Sequence, residues 1–301
     1  MTIDAPVNSK DIIGLDAIAP LDDTLYTIQP AAAALLKSIT GIANDDLLKK
    51  HILTVQEKAY KIFPYPCIRT FTFLRLDISS SPAYEKVLQL ARERKDAIML
   101  DMGCCFGIDV RNVAAEGFPA SNIVACDLNR KFWDLGHELF KSTPESFPAH
   151  FVEGDVFDPS ILTASLPASV HSKTSSVKLS DLTSLNPLHG RVSVVHAQAF
   201  FHLFDEEKQL QLARSVAGLL SPEPGSVILG AHAGLREGKG MLSGVFFQAR
   251  LSLFCHSPET WTAMWDGEVF DKGTVKVNAF SREFVNSENS INVLYWSVER
   301  I

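Results

Sequence analysis

The sequence predicts an α/β protein with a doubly wound, mostly parallel sheet, and three observations support this fold class. From residue 97 onwards, short apolar segments alternate with amphipathic ones, as expected for a parallel sheet with helices on both faces. A turn with two glycines follows the first apolar segment. Near the C-terminus, two predicted strands (273–280 and 291–298) have no helix between them, which indicates an antiparallel pair at one edge.

The composition is that of a soluble globular protein of 301 residues, with 46% hydrophobic and 21% charged residues. The formal net charge is −7 and the longest basic run is "RERK" at 92–95, so nucleic acid is not an expected partner. No secretory signal and no membrane span is expected, because no apolar stretch is long enough. Five scattered cysteines favour a reduced, cytoplasmic setting, and the absence of CxxC or HExxH spacing predicts no metal site.

Residues 1–95 are predicted to form a mostly helical cover, because apolar residues recur there at helical spacing. Helices are predicted at 31–39, 45–63 and 82–94. The serines and the proline of 79–82 are typical of a helix start. Between the second and third helices, a β-rich run is predicted within 63–78, after two prolines.

Residues 96–301 are predicted to form the α/β domain. The predicted strands are 97–100, 122–127, 150–155, 191–197 and 226–234. The predicted helices are 109–116, 131–141, 205–220 and 257–265. Gly117 and Pro119 end the first of these helices, and Asp205 is a typical N-cap for the third. Segment 159–190 is too long for an ordinary connection, so a flexible insertion or small lid is expected there.

The turn after the first predicted strand is a candidate cofactor loop. Asp101 ends the strand, and Gly103, Cys104, Cys105 and Gly107 precede the next helix. Backbone N–H groups at such a helix N-terminus suit a polar or anionic ligand. In an open α/β sheet, ligands bind beyond the carboxyl ends of the strands, which is where this turn lies.

Two further acids end the second and third strands. Asp127 is positioned to accept hydrogen bonds from both hydroxyls of a ribose, and Asp155 to meet an adenine amino group. Leu128, Val156 and Ala197 follow strands two, three and four and are expected to line the same site. These positions predict a nucleoside cofactor that lies across the strand ends.

The glycine spacing argues against NAD(P), because its fingerprint is G-x-G-x-x-G and Cys105 stands where a glycine is expected. Asp101 suits a positively charged amino-acid group, so the ordered set of Asp101, Asp127 and Asp155 favours S-adenosyl-L-methionine. A plain strand-to-helix turn without a ligand is the alternative. Adjacent Cys104 and Cys105 would form a strained disulfide, which makes a redox role unattractive.

Several stretches spread over the chain match one known family. They are "YPCIRTFTFL" (65–74), "LDMGCCFGIDVR" (100–111), "DLGHELF" (134–140), "VFD" (156–158), "HAQAFFHLFDEEKQ" (196–209), "PGSVILG" (224–230) and "SPETWTAMW" (257–265). The chain resembles fungal secondary-metabolite class I methyltransferases of the meroterpenoid-cluster type. The resemblance implies a Rossmann-like, seven-stranded sheet under an N-terminal helical cover. It also implies S-adenosyl-L-methionine as cofactor and O-methylation of a lipophilic polyketide-terpenoid acid, most typically at its carboxyl group.

Residues after the fourth strand are the candidates for catalysis. A carboxylate acceptor is ionised near neutral pH and needs no base, whereas a phenol benefits from one. His196, Gln198 and His202 are therefore candidate catalytic residues. For His202, which stands between apolar residues, packing in the core is an equal alternative.

Four other residues are candidates for contact with the substrate. His232 and Arg236 follow the fifth strand and could hold a carboxylate, Arg236 through its planar guanidinium. Tyr65 and Arg69 of the cover could close over the methionine end of the cofactor. An exposed loop position for Arg236 and a packing role for Tyr65 are the structural alternatives. The expected partner is a small-molecule substrate, and a homodimer is possible.

Three other functions fit the same sequence. The protein could methylate a phenol or an amine, or use the charge of the bound sulfonium in an isomerisation or cyclisation without methyl transfer. It could also be a non-catalytic subunit of a complex. The three ordered acids argue against the last of these, because a protein without a cofactor has no need of all three.

Overall fold

The computed structural model describes residues 19–168, 177–246, 249–285 and 290–301. The helices in these ranges are α1 (Pro30–Thr40), α2 (Asp45–Ile62), α3 (Pro66–Arg69), α4 (Tyr84–Glu93), α5 (Ile108–Ala115), α6 (Arg130–Leu139), α7 (Glu206–Leu219) and α8 (Pro258–Trp265). The strands are β1 (Ile98–Met102), β2 (Ile123–Asp127), β3 (His150–Glu153), β4 (Val192–His196), β5 (Val227–Gly234), β6 (Lys239–Phe246), β7 (Ala249–His256), β8 (Val275–Val285) and β9 (Ser290–Arg300). None of the helices in the described ranges has both the length and the apolar character that a bilayer crossing requires.

Seven strands form one sheet in the order β3-β2-β1-β4-β5-β9-β8. The strands from β3 to β5 are parallel to one another, whereas β9 runs antiparallel to both β5 and β8. The strand order reverses between β1 and β4, which is where doubly wound sheets bind ligands. The predicted fold class, a mostly parallel seven-stranded sheet of the class I methyltransferase type, is confirmed.

The central strands bury side chains on both faces because helices cover both faces. All five residues of β4 are buried. Val192 and Val195 pack into a core with residues of α7 and α8, where Trp261 is fully buried. Val194 packs on the other face with residues of α4, α5 and α6. The sheet is therefore a rigid platform whose strand ends carry the site.

The cover packs directly on the α/β domain. Helices α1 and α2 share an apolar core with the turn after β1 and with α6, where Ile52 and Phe106 are buried. A ring nitrogen of His51 lies 2.9 Å from the carbonyl oxygen of Leu139. Lys58 forms an ion pair with Glu138. These contacts fix the cover beside the cofactor loop.

The β-rich run predicted within 63–78 is wrong, because these residues form α3 and the 3-10 turns Thr72–Leu74 and Ile78–Ser80. Pro66 starts α3, and Phe71 takes a left-handed backbone conformation with φ +60°. The apolar side chains that suggested a strand are instead buried between the cover and the α/β domain. The segment therefore lines one side of the site.

The hairpin of β6 and β7 was not predicted from the sequence. It forms a separate two-stranded sheet. Leu253 and Cys255 of β7 are buried against Ala233 of β5. The hairpin thereby brings Leu253 to the wall of the cavity described below.

Several residues in the described parts of segment 159–190 pack into the core of the α/β domain. Leu162, Leu185 and Leu188 are buried in the core, and the backbone N–H of Leu185 donates to the carbonyl oxygen of Ile161 at 2.8 Å. Residues 169–176 lie outside the described residues, so the flexible insertion stays a prediction for that part.

Candidate active site

A cavity of about 410 Å³ lies at the carboxyl ends of the parallel strands. One wall comes from the turns after β1, β2 and β3. A second wall comes from the segment after β4 and from β5, β7 and β9. Residues from the cover, between Tyr65 and Asp77, form the third. The cavity therefore occupies the position where a doubly wound sheet binds its ligand.

The turn after β1 contains three residues in the left-handed backbone region, which favours glycine. Gly103, Cys105 and Gly107 take φ values of +69°, +48° and +68°. A Cβ on Gly103 would lie 2.7 Å from a ring carbon of Phe200, so glycine is needed for this close approach. Gly103, Cys104 and Cys105 line the cavity. Gly107 does not; it is the N-cap of α5.

Cys104 and Cys105 are free thiols. Burial raises the pKa of both well above the ordinary thiol value, and the charge of Asp127 adds to this effect. Both therefore stay protonated near neutral pH, where a reactive cysteine would be a thiolate. Their contribution to the site is the backbone that they supply to the turn.

Asp127, at the end of β2, is fixed by backbone donors. Its Oδ2 accepts from the N–H of Cys105 at 2.9 Å and its Oδ1 from the N–H of Asn129 at 3.3 Å. Burial raises the pKa of Asp127 to about 6, although these bonds lower it. The side chain lines the cavity and is mainly ionised at neutral pH, so it can accept hydrogen bonds from ligand hydroxyls.

The segment after β3 supplies the far end of the cavity. Oδ1 of Asp155 accepts from the N–H of Phe157 at 2.9 Å. Asp155, Val156 and Leu128 all line the cavity, and Leu128 is half exposed at its rim. Asp101, Asp127 and Asp155 thus follow one another across β1, β2 and β3, in the order expected from the sequence.

Asp101 and His196 form a buried pair. Oδ1 of Asp101 lies 2.8 Å from Nδ1 of His196, and the two side chains are 5% and 1% exposed. Burial alone would lower the pKa of His196, but the bond to Asp101 and the charges of Asp101, Asp109 and Asp77 outweigh it and raise the pKa. Asp101 lines the cavity whereas His196 lies behind it, so His196 is suited to holding Asp101 rather than to touching a ligand.

Gln198 and His202 both line the second wall. Oε1 of Gln198 accepts from the N–H of Ala231 at 3.0 Å, and its amide donates to Asp77. Nδ1 of His202 accepts from the N–H of Ala233 at 3.0 Å, so the ring hydrogen resides on Nε2. Burial lowers the pKa of His202 to about 4. His202 is therefore neutral near pH 7, and both the backbone N–H of Ala233 and the backbone of Ala199 engage its ring.

Two of the candidates for substrate contact, His232 within β5 and Arg236 after it, lie outside the cavity lining. Arg236 is exposed and its guanidinium forms an ion pair with Glu283. His232 is buried in an aromatic core, where its Nδ1 accepts from Nε1 of Trp296 at 3.1 Å. Neither side chain is directed by its contacts toward a ligand in the cavity.

The other candidates divide between the cavity and the core. Tyr65 lines the cavity. Arg69 is buried outside the lining, and its Nε donates to the carbonyl oxygen of Pro20 at 2.8 Å. Ala197 is fully buried, and its N–H donates to the carbonyl oxygen of Leu229 at 3.0 Å. Arg69 and Ala197 therefore support the walls rather than form them.

Three charged lining residues were missed in the sequence: Arg75, Asp77 and Asp109. Arg75 and Asp77 form an ion pair at 3.1 Å. Oδ1 of Asp109 accepts from the N–H of Ile78 at 3.1 Å, and burial raises the pKa of Asp109 to about 7. The sequence signal for Asp109 was its position just after the glycine turn, which could have indicated that it lines the cavity. Arg75 and Asp77 lay in the stretch predicted to be β-rich.

The second wall is largely apolar. Its apolar residues are Phe200, Leu203, Phe204, Ala233, Leu253, Ile291, Val293 and Tyr295. The cavity thus has an acidic half beneath β1, β2 and β3 and an apolar half beside β4, β5 and β9. Such a division suits a charged cofactor next to a lipophilic molecule.

The sequence of this chain is similar to those of known methyltransferases. The family model described as the meroterpenoid methyltransferase N-terminal domain matches residues 21–74. The methyltransferase adrK from Penicillium roqueforti is 30% identical over 254 residues, which are 84% of this chain and 81% of adrK. The chain belongs to this family of fungal methyltransferases.

Two further relatives are longer than the part that matches. The O-methyltransferase phiE from Fungal sp. is 33% identical over 224 residues, which are 74% of this chain and 66% of phiE. The O-methyltransferase atr3 from Stereocaulon alpinum is 33% identical over 207 residues, which are 69% of this chain and 53% of atr3. The chain therefore spans less than two thirds of the length of these two relatives.

Proposed function

We propose that the protein is an S-adenosyl-L-methionine-dependent O-methyltransferase of fungal secondary metabolism. The observation that carries this proposal is the row of Asp101, Asp127 and Asp155 along one cavity of a chain in a methyltransferase family. Its acceptor is a lipophilic molecule of meroterpenoid type, which the apolar half of the cavity suits. Its target atom is a carboxylate oxygen.

The cavity residues fit this cofactor in both charge and shape. Asp127 offers a carboxylate to a ribose, and the positive φ of Gly103 and Cys105 brings backbone rather than side chains to the ligand. Asp155 is available to an adenine amino group, and Asp101 to an ammonium group. The acidic half of the cavity thus complements a cofactor that carries positive charge at its amino-acid end.

The protonation state of His202 favours a carboxylate as the acceptor. Its Nδ1 is occupied by the N–H of Ala233, so His202 can donate a hydrogen bond but has no free lone pair for a proton. A carboxylic acid with a pKa of about 4 is already ionised near neutral pH, whereas a phenol with a pKa of about 10 is not. Because His202 cannot take a proton from the acceptor, the site favours an acceptor that arrives ionised.

S-adenosyl-L-methionine, which Asp101, Asp127 and Asp155 would hold, would supply a methyl group to an acceptor oxygen, and the electron pair of the broken carbon–sulfur bond would stay on sulfur. A carboxylate acceptor would thereby become a methyl ester without any proton transfer. The protein's own residues align the two molecules and exclude water from the apolar half.

A lipophilic aromatic acid that carries both a carboxyl and a phenol tests the reaction and the target atom together. The purified protein is incubated with this acid and S-adenosyl-L-methionine, and the products are analysed by mass spectrometry before and after treatment with alkali. We expect release of S-adenosylhomocysteine and a methylated product that alkali hydrolyses. An alkali-stable methyl ether would contradict the carboxyl target, and turnover without S-adenosylhomocysteine would contradict methyl transfer.

A further inference from the structure

We propose that Arg75 binds a carboxylate inside the cavity, at the junction between its acidic and apolar halves. Arg75 is the one lysine or arginine that lines the cavity in the part of the chain that the structure describes. The inference rests on the proposed function for the identity of the ligands. The residue itself was not among the sequence candidates, and its role follows from its place in the cavity.

In the charge distribution of the cavity lining, Arg75 is the side chain that can attract an anion. Five aspartates line the cavity: Asp77, Asp101, Asp109, Asp127 and Asp155. A ligand carboxylate near these side chains would be repelled unless a cation stood beside it. The imidazole of His196 lies behind Asp101 and does not line the cavity, so it cannot contact a ligand directly. A guanidinium is the group best suited to a carboxylate, which it can bind through two parallel hydrogen bonds.

The local backbone directs Arg75 and Asp77 to the same side. Arg75 has an extended backbone, with φ −79° and ψ +140°. Arg75 and Asp77 both line the cavity, whereas Leu76 between them is buried in the core. Nη2 of Arg75 lies 3.1 Å from Oδ1 of Asp77, and the Arg75 side chain is 40% exposed. A single contact through one guanidinium nitrogen leaves most of its N–H donors for a ligand.

The contacts of Asp77 fix where Arg75 stands. Gln198 donates its amide to Asp77 and accepts from the N–H of Ala231 in β5. Arg75 is thereby tied to the segment after β4, between the acids of β1 to β3 and the apolar wall. Burial raises the pKa of Asp77, although the charge of Arg75 lowers it.

Two carboxylates reach this junction under the proposed function. One is the carboxylate of the amino-acid part of the cofactor, and the other is that of an acidic acceptor. Both present the same chemistry to Arg75. If the acceptor is the ligand, methylation removes the charge that Arg75 recognises, so the ester product would bind more weakly than the acid.

Binding measurements on three variants test the proposal. Arg75→Gln removes the charge, and Arg75→Lys keeps it without the planar fork. Arg92→Gln is the matched control, because Arg92 is an exposed arginine of α4 that forms an ion pair with Glu85 away from the cavity. Each variant and the wild type are titrated with S-adenosylhomocysteine, with methylthioadenosine, which lacks the amino-acid part, and with 2-naphthoate and its methyl ester. Thermal unfolding of each variant checks that the chain is folded.

We expect Arg75→Gln to lower the affinity for one of the carboxylate ligands by about tenfold to a hundredfold. Arg75→Lys should lower this affinity less, and Arg92→Gln should leave it unchanged. If Arg75→Gln weakens the binding of S-adenosylhomocysteine but not of methylthioadenosine, Arg75 binds the cofactor carboxylate. If it weakens the binding of 2-naphthoate but not of its methyl ester, Arg75 binds the acceptor carboxylate. Equal binding of all four ligands by folded Arg75→Gln and wild type would overturn the proposal. Failure of the wild type to bind S-adenosylhomocysteine would overturn the proposed function instead, and the naphthoate titration would still test Arg75.

Discussion

At the residue scale, the carboxyl of Asp127 combines two opposed influences. The N–H groups of Cys105 and Asn129 stabilise its charged form, whereas burial destabilises it and raises its pKa to about 6. A cofactor that needs the carboxylate as an acceptor must therefore compete with a proton below this pH. The side chain links the geometry of the turn to a measurable pH dependence.

We predict that S-adenosylhomocysteine binds more weakly as the pH falls through about 6, because the protonated Asp127 loses its charge-assisted hydrogen bonds. Asp127→Asn should weaken binding at about pH 7.5 by roughly 1–3 kcal/mol. Calorimetric titrations of wild type and variant across this range measure both effects. Because Asp109 also titrates in the cavity, with a pKa of about 7, the relevant quantity is the difference in binding free energy between the two proteins. A difference that stays constant with pH would contradict the role of Asp127.

Asp109 should make the protein without ligand less stable as the pH rises. Its pKa is raised to about 7 by burial, and Asp77 and Asp101 add to the shift while His196 opposes it. The folded state therefore holds this proton more tightly than the unfolded state, so stability is lost as the pH rises toward 7. At about pH 8, Asp109→Asn should raise the free energy of unfolding by about 1 kcal/mol or more, and with it the melting temperature. This gain in stability should shrink toward about pH 5. A variant that is less stable at every pH would contradict this account.

Single residues differ in how far the sequence predicts their contacts. The ends of β1, β2 and β3 are set by local pattern, so Asp101, Asp127 and Asp155 could be assigned to one cavity. The partners of Arg236 and His232 lie on β8 and β9, which join the sheet from far along the chain: β9 pairs with β5, and β8 with β9. Sequence spacing carries no information about such contacts.

At the scale of elements, the turn between β1 and α5 is shaped by packing as well as by conformation. Gly103 has φ +69°, and its missing side chain admits the ring of Phe200 from the segment after β4. The turn and the second wall are thus in direct contact. A change at Gly103 should affect both the stability of the fold and the shape of the cavity.

Gly103→Ala and Gly41→Ala form a matched pair that separates these two effects. Gly41, at the end of α1, has φ +72°, but a Cβ there would meet no atom within 4 Å. Its substitution should cost roughly 1–2 kcal/mol, the penalty of the left-handed backbone alone. Gly103→Ala should cost at least about 1 kcal/mol more because the Cβ would clash with Phe200. Denaturant unfolding measures both; equal losses would contradict the proposed packing constraint.

The elements that the sequence predicted are those with a local signal. The helix at 205–220 was predicted from its cap, and the structure has α7 with Asp205 accepting from the N–H of Lys208 at 2.9 Å. The β-rich run within 63–78 was predicted wrongly and the β6–β7 hairpin was missed. In both places the conformation depends on tertiary contacts rather than on a local sequence signal. In 63–78 these contacts are with the cover core, and in β7 they are with Ala233.

At the scale of the whole molecule, the cover and the α/β domain share a core. Ile52 of α2 is fully buried in the cluster that contains Phe106 of the cofactor loop and Phe132 of α6. The sequence boundary near residue 95 therefore marks a change of pattern within one packed body. The cavity itself needs both parts, because Tyr65, Arg75 and Asp77 come from the cover.

We predict that thermal unfolding is a single transition that involves cover and α/β domain together. Ile52→Ala should lower the unfolding free energy by roughly 2–5 kcal/mol through the lost contacts and the cavity it leaves. Leu47→Ala on the same helix is the control, since Leu47 is 60% exposed and should cost little. Calorimetry of both variants measures the effect. Two transitions, of which Ile52→Ala shifts only one, would contradict the shared core.

The central claim is that one cavity binds S-adenosyl-L-methionine across the ends of β3, β2, β1 and β4. A crystal structure with bound S-adenosylhomocysteine tests this most directly. We expect adenine beside Asp155, the ribose hydroxyls on Asp127, and the amino-acid part near Asp101 and Arg75, with free volume against the apolar wall. A cavity that stays empty at saturating ligand, or a ribose that does not contact Asp127, would contradict the claim.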